Sequence, residues 1–351
     1  MSNKKKILIF TPGGVGGAER MSVIIGKLLP KERFEVKYVV VGRLRNIYNI
    51  LPEGYAVDCI PVRNIHEFST LRIWWKIKRD NPDVVFASQV AYNPRVIKAA
   101  RWARKKVVVR SSGMIGRYRK KWRGVKATYP RANKLVAQQE VMREEMIRLL
   151  EIPPEKVVTI HNPLDTADID KLGTAPSPYP DTDDVNYVQA ANVIHRKAQD
   201  VAIKALAIVK QSIPNAHLYF VGGCDEKSDY YQSLCNLIAE FNLQSCVHFV
   251  GYDKNPFRWV KNACCFVFPS RAEGLPNALV EASYLGVPCA ASRCLPIVDD
   301  IIKDGENGYV VDVDDVDGLA QAMKEAVKLK NCAMIYKPGT PEEFARLFDT
   351  I

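Results

Sequence analysis

Phe268-Pro-Ser-Arg-Ala-Glu-Gly-Leu-Pro-Asn-Ala-Leu-Val-Glu-Ala-Ser-Tyr-Leu-Gly-Val-Pro288 follows directly on an apolar run at 264–268. The unbroken hydrophobicity of that run predicts a strand buried on both faces of a parallel sheet. A loop with Glu273, Gly274, Leu275 and Pro276 comes next. Pro276 suits the first turn of a helix, where its missing N–H costs nothing. Residues 278–285 read as that helix and Gly286 as its stop. A carboxylate, Glu273, therefore stands just outside a helix N-terminus, and a second, Glu281, follows eight residues on. Free N–H groups and the positive end of the helix dipole face whatever binds there. An anion with hydroxyls on both sides meets these requirements, and a sugar nucleotide is such a ligand: sugar, diphosphate, ribose.

The segment Glu273-Gly-Leu-Pro-Asn277-x-Leu-x-Glu281-Ala resembles the Glu-x7-Glu signature of retaining glycosyltransferases of the GT-B fold, specifically family four (glycosyl transferases group 1). The resemblance implies an α/β protein of two Rossmann-like, doubly wound parallel-sheet domains facing across a cleft. It also implies that Glu273 holds sugar hydroxyls, that Glu281 holds ribose hydroxyls, and that the backbone of Gly274, Leu275, Pro276 and Asn277 lies along the diphosphate. Without the resemblance, the same stretch reads as a capped surface helix with two solvated acids.

The totals agree with two domains. At 351 residues the chain is long for a single core. Nine cysteines include no Cys-x-x-Cys pair, so they read as small apolar filler in a reducing compartment and not as a zinc site or disulfide framework. No apolar run approaches the roughly 18 residues of a membrane span, and the short apolar run after the lysines of residues 1–10 reads as a first strand, not a signal sequence. A cytoplasmic protein, peripheral at most to the inner face of a membrane, is expected. The net charge of +11 is unevenly distributed. Residues 1–160 hold 33 Lys and Arg against 13 Asp and Glu; the remainder holds 17 against 26. Halves of opposite sign suggest domains with different partners.

In the first half a strand runs into Thr11-Pro-Gly-Gly-Val-Gly-Gly-Ala-Glu-Arg20, and Met21, Ile24, Ile25, Leu28 and Leu29 then share a helix face. The dinucleotide fingerprint is a poor match: Gly14-x-Gly16 fits its opening, but the third glycine position falls on Glu19, and the strand at 36–41 ends in Gly42-Arg43 without an acid for a ribose. The resemblance instead makes this the loop that faces the donor diphosphate and the acceptor, with Gly16 and Gly17 as its contact residues. Strands and helices alternate onward to a strand at 157–160, which means a doubly wound parallel sheet whose ligands gather at the carboxyl ends of the strands. Arg110 and Ser111 lie at such an end and are assigned to the acceptor side; many relatives carry a histidine there. Two basic stretches carry tryptophans: Leu71-Arg-Ile-Trp-Trp-Lys-Ile-Lys-Arg79 and Arg117-Tyr-Arg-Lys-Lys-Trp-Arg123. They read either as solvated helix faces with the tryptophans turned inward or as a surface for anionic membrane or a lipid-phosphate acceptor. No nucleic-acid-binding motif accompanies them, so nucleic acid is not an expected partner.

The expected boundaries are a first domain over 1–168, a Pro/Asp/Ser/Thr-rich linker over 169–184, a second domain over 185–335 and a terminal segment, 336–351, that crosses back onto the first. In the second domain a strand at 186–191 leads into Asn192-Val-Ile-His-Arg196-Lys197. The resembling family writes Gly-Arg here with a lysine five residues later, and the two cations grip the donor diphosphate. Lys197 keeps the lysine position, Asn192 stands in place of the arginine, and Arg196 is the cation available to replace it. Gly222, after the strand at 216–221, is read as a place where a nucleotide base approaches the backbone. Asp312-Val-Asp314 and Asp315-Val-Asp317 have a metal–diphosphate spacing but precede a helix, where Asp caps and complements the dipole; no metal and no other cofactor is expected. The reaction implied is retaining transfer from a nucleotide-diphosphate sugar, a UDP-sugar first, to a hydroxyl of a glycan or lipid-linked acceptor in surface polysaccharide assembly. The competing readings are a GT-B-fold sugar-nucleotide epimerase or hydrolase, and a weakly catalytic sugar-nucleotide or nucleic-acid binding protein.

Overall fold

The structure, a computed structural model, describes residues 4–14, 16–42, 47, 50–62, 69–90, 92–118, 122–180 and 183–351. The chain divides into two compact units, Met1–Asp165 with Pro338–Ile351, and Thr166–Lys337.

The first unit runs β1 (Lys5–Pro12), α1 (Gly17–Leu28), β2 (Phe34–Val41), β3 (Ala56–Ile60), α2 (Ser69–Asp80), β4 (Val84–Ala87), α3 (Asn93–Trp102), β5 (Lys106–Arg110), α4 (Trp122–Thr128), β6 (Lys134–Ala137), α5 (Glu140–Leu150) and β7 (Val157–Thr159). The strands form one parallel sheet in the order β3-β2-β1-β4-β5-β6-β7. β1 shows why the sheet is covered twice. Successive side chains point to opposite faces. Leu8 and Phe10 join a core beneath α2 and α3 with Ile73, Ile77, Val96 and Ile97. Ile7 and Ile9 join the opposite core, with Met21 and Ile24 of α1.

The second unit runs α6 (Thr166–Gly173), β8 (Val185–Ala190), α7 (Gln199–Val209), β9 (Ala216–Val221), α8 (Asp229–Glu240), β10 (Val247–Gly251), α9 (Pro256–Lys261), β11 (Cys265–Phe268), α10 (Asn277–Tyr284), β12 (Cys289–Ser292), α11 (Val298–Ile301), β13 (Gly308–Val311) and α12 (Val316–Ala326). Its six parallel strands are ordered β10-β9-β8-β11-β12-β13. The fold class expected from the alternation is the one observed.

The stretch read as a linker over 169–184 behaves differently. It begins inside α6, whose Ile169 is buried. Asn255 donates to the Leu172 carbonyl (2.9 Å), and the Tyr179 hydroxyl donates to the Trp259 carbonyl (2.6 Å), its ring edge-on to Trp259 and Tyr219. Composition signalled irregular chain, but one tyrosine and one isoleucine dock it on the second unit. Asp181 and Thr182 lie outside the described residues.

After the second unit the chain returns to the first as α13 (Pro341–Asp349). Phe344 and Phe348 are fully buried against Phe86, with edge-to-face ring centroids 6.5 and 5.6 Å apart. A capping box starts this helix: Thr340 Oγ1 accepts from the Glu343 N–H and Glu343 Oε2 accepts from the Thr340 N–H. Thr340→Ala is expected to cost about 1 kcal/mol of stability, read as a lowered urea midpoint at unchanged slope.

Candidate active site

In the second unit, β11 delivers the chain into the loop at 269–276, and α10 begins at Asn277. Pro276 is the residue before the helix, not its first turn; its carbonyl accepts from the Leu279 and Val280 N–H groups. Gly286 ends the helix with φ +73°, the left-handed conformation that favours glycine. Glu273 and Glu281 are both buried, at 8% and 9% exposure.

The carboxylate of Glu273 gathers two cations. Lys197 Nζ lies 2.5 Å from Oε1 and Arg196 NH1 lies 2.9 Å from Oε2. Arg196 also donates to the Ala272 carbonyl (2.9 Å). Lys197 is mostly covered, with its ammonium over the Phe268 ring, whereas half of the Arg196 side chain is in solvent. Both cations sit on a short turn, 195–197, closed by Ala198 at φ +52°. A non-glycine residue there carries strain of about 1 kcal/mol or more, and it aims Lys197 just before α7.

Asn192, in the family's arginine position, does something else. Its Oδ1 accepts from the Gly223 N–H (3.1 Å), and its carbonyl accepts from Gln199 (3.1 Å), so it staples the ends of β8 and β9. Gly222 is a glycine for a reason other than the one read from sequence: a Cβ there would lie 2.2 Å from the Ala191 carbonyl oxygen. The constraint is strand-end packing, which by itself says nothing about a base.

Sequence reading missed what fastens the cation turn to the Glu273 loop. Arg271 donates to both oxygens of Asp200 (3.0 and 2.6 Å), to the His195 carbonyl (2.7 Å) and to Asp314 (2.7 Å), while its N–H donates to the Arg196 carbonyl (2.9 Å). The Tyr230 hydroxyl also donates to Asp200 (2.6 Å). Burial would raise the Asp200 carboxyl, but the hydrogen bonds from Arg271 and Tyr230 outweigh it and hold the group below the usual range. Asp315 caps α12 through the Gly318 N–H (2.9 Å), Asp312 pairs with Arg293 and Asp314 with Arg271, so three of the four carboxylates of the Asp-x-Asp stretch have structural partners.

In the first unit, Gly16 caps α1 and Gly17 opens it. Val15 between the glycine pairs is outside the described residues. The helix start is not an open anion cradle. Buried Glu19 folds back to it, accepting from Gln89 Nε2 (2.8 Å), and a Cβ on Gly16 would lie 2.7 Å from its Oε2. Arg110 and Ser111 end β5, both buried. Arg110 donates to Asn162 Oδ1, and Ser111 Oγ donates to the Gly113 carbonyl (2.6 Å).

The molecule is thus two parallel-sheet α/β units, one bearing a buried glutamate on two cations beside a helix start. Residues 15–168 match the family model for Glycosyltransferase Family 4 and residues 177–343 that for Glycosyl transferases group 1, and the chain belongs to this family. An uncharacterized glycosyltransferase of Methanocaldococcus jannaschii is 35% identical over 108 residues, 31% of this chain and 26% of that protein. A Campylobacter jejuni enzyme, named as an N-acetylgalactosaminyltransferase acting on a diphospho-undecaprenol-linked saccharide, is 23% identical over 224 residues, 64% of this chain and 58% of that protein. The chain thus spans between a quarter and three-fifths of these two relatives. Anabaena HepE, solved in complex with UDP, superposes with a TM-score of 0.78 at 18% identity, covering 99% of this chain and all of that one; at that identity the likeness speaks for the fold.

Proposed function

We propose that the chain transfers a glycosyl unit from a nucleoside-diphosphate sugar, a UDP-sugar first, to a hydroxyl of a glycan or lipid-linked acceptor in polysaccharide assembly, with retention at the anomeric carbon. The observation that carries this reading is the Glu273 carboxylate held between Lys197 and Arg196 at 2.5 and 2.9 Å. Two cations fixed beside a helix start can neutralise charge growing on a departing diphosphate, and Arg196 stands in for the arginine that Asn192 replaces. Glu273 positions the cations and holds sugar hydroxyls; Glu281 holds the ribose; the backbone of 274–277 lies along the diphosphate. The attacking hydroxyl enters on the face the diphosphate leaves, and a phosphate oxygen of the leaving group takes its proton, so no protein nucleophile is needed. The UDP complex of the Anabaena protein favours UDP as the first nucleotide to try.

The test is a heat-denaturation screen with UDP-, GDP- and ADP-sugars, followed by incubation of the stabilising donor with and without a polyprenyl-diphosphate saccharide. Donor turnover that needs no acceptor would establish the epimerase or hydrolase reading instead; binding without any turnover would establish a binding protein. EDTA is expected to leave turnover unchanged, since side-chain cations do the metal's work, and activity lost to EDTA and restored by Mn²⁺ would overturn that expectation.

Attachment to an anionic membrane face is part of the proposal. α2 and α3 pack side by side over one face of the first sheet. Trp75 is 57% exposed, and Leu71 and Trp102 are each 49% exposed. Arg79 stacks on Trp75 and Lys98 on Trp102, each 4.9 Å from the ring centre. Arg72, Lys78, Arg101 and Arg104 are exposed nearby in sequence. Aromatic rings among cations match the interface between acyl chains and anionic head groups. Trp74 instead packs inward against the core. In the second basic stretch Arg119, Lys120 and Lys121 lie outside the described residues, and Trp122 opens α4. Among the described residues no helix is long and apolar enough to cross a membrane. Flotation with phosphatidylglycerol vesicles is expected to carry the protein upward at low salt, and Trp75→Ala with Trp102→Ala to abolish this; equal flotation with neutral vesicles would overturn it.

A further inference from the structure

Among the described residues Arg110 is the bulkiest fully buried side chain, 1% exposed at the carboxyl end of β5. One guanidinium nitrogen, NH2, donates to Asn162 Oδ1. The other two, Nε and NH1, have no hydrogen-bond partner among the described residues. The side chains that hold it in place are neutral amides. Asn162 Nδ2 donates to Gln138 Oε1 (3.3 Å), Gln138 Nε2 to the Ser111 carbonyl (2.6 Å), and Asn93 Nδ2 to the Arg110 carbonyl (3.0 Å). Burial alone depresses the guanidinium, with no neighbouring carboxylate to raise it.

A buried cation with four of its five N–H groups unpaired among the described residues is among the costliest arrangements a core can hold. A tyrosine or methionine would fill the same volume at no such cost. The rigid fork of a guanidinium matches the two oxygens of a carboxylate or phosphate. Its place fits as well: Arg110 ends β5, and Gln138 and Asn162 come after β6 and β7, at the carboxyl ends where ligands of parallel sheets gather.

We propose that Arg110 is the receptor for an anionic group, phosphate or carboxylate, carried by a substrate of the transfer reaction. This rests on the transferase reading but is tested apart from turnover. A neutral sugar hydroxyl does not require a buried cation; a phosphate of the donor or acceptor, or the carboxylate of an acidic sugar, does. The site thus selects a charged substrate in the first unit, in addition to the donor-binding cations of the second.

The experiment measures binding to the full chain by calorimetry at constant ionic strength, with inorganic phosphate, glucuronate, UDP and, as the uncharged control, glucose. Arg110→Met is expected to weaken at least one anion about tenfold or more and to leave glucose unchanged. Weakening of UDP alone assigns the anion to the donor; weakening of phosphate or glucuronate assigns it to the acceptor. Asn162→Asp keeps the fold testable should Arg110→Met fail to fold. It places a carboxylate against Arg110, so it is expected to raise the denaturation midpoint and abolish the same anion's binding. Anion affinities equal in wild type and Asn162→Asp, or within twofold in wild type and Arg110→Met for all three anions, would overturn the proposal. Absence of glycosyl transfer by the wild type, together with anion binding that Arg110→Met weakens, would count against the transferase reading and leave the anion site standing.

Discussion

Replacing Lys197 by Ala, or Glu273 by Gln, is expected to lower the turnover of glycosyl transfer by about 10²- to 10³-fold in a protein that remains folded. The magnitude follows from where the ammonium sits. Lys197 is mostly covered, 2.5 Å from Glu273, so its charge acts where water screens it little. A charge that matters most when the diphosphate departs lowers kcat more than it raises KM. Arg196 makes the second contact to the same carboxylate but is half exposed, so Arg196→Ala is expected to cost less, on the order of tenfold. Lys197 and Glu273 work as one unit. The double variant should therefore be little worse than either single one, not the product of the two losses. Near-normal kcat in both single variants, with circular dichroism unchanged, would remove Glu273 and Lys197 from the mechanism.

What the sequence told in advance divides along the distance between partners. The strand expected at 264–268, the loop and the helix that Gly286 stops are local, and each has its own residue-level cause; the structure starts the strand at Cys265 with Cys264 exposed, runs the helix over Asn277–Tyr284 and places Pro276 one position outside it. Alternation of apolar runs and helical periodicity made the doubly wound sheets legible for the same reason. β3 was missed because Ala56–Ile60 is only partly buried along its length and lacks the apolar run of a central strand. α6 was hidden by the Pro- and Asp-rich composition around it. The cation pair is non-local: nothing in the linear order shows that Arg196 and Lys197 reach the same carboxylate 77 and 76 residues away. At Gly16 and Gly222 it is a neighbour in the chain that the sequence did not show. Both looked like ligand-facing glycines, yet what crowds them is the chain itself, Glu19 in one case and the Ala191 carbonyl in the other.

The same non-local geometry makes Arg271 the next residue to test, although it belongs to no motif. Arg271→Ala removes four side-chain hydrogen bonds at once, to Asp200, His195 and Asp314. The turn that carries Arg196 and Lys197 is then tied to the Glu273 loop through little more than the cations themselves. Turnover is expected to fall about 10- to 100-fold, because a displacement of roughly 1 Å in a positioning element can cost that much. Arg271→Lys restores charge without the two-pronged grip and should recover only part of the loss. Stability supplies a readout that mere surface trimming would not give. Losing the charged hydrogen bonds leaves Asp200 partly buried and poorly paired, at a cost of about 1.5–3 kcal/mol at neutral pH. The sign of its pH dependence is fixed by Asp200, whose carboxyl lies below its ordinary value in the folded protein. A carboxyl lowered on folding contributes fully above its unfolded value, about 3.9, and loses that contribution as pH falls through its folded one. The gap in denaturation midpoint between wild type and Arg271→Ala should therefore be wide at pH 7 and close below about pH 4. A gap that stays constant from pH 7 to pH 3 would mean that Arg271 acts by packing, and that the Asp200 pair does not set the position of the cation turn.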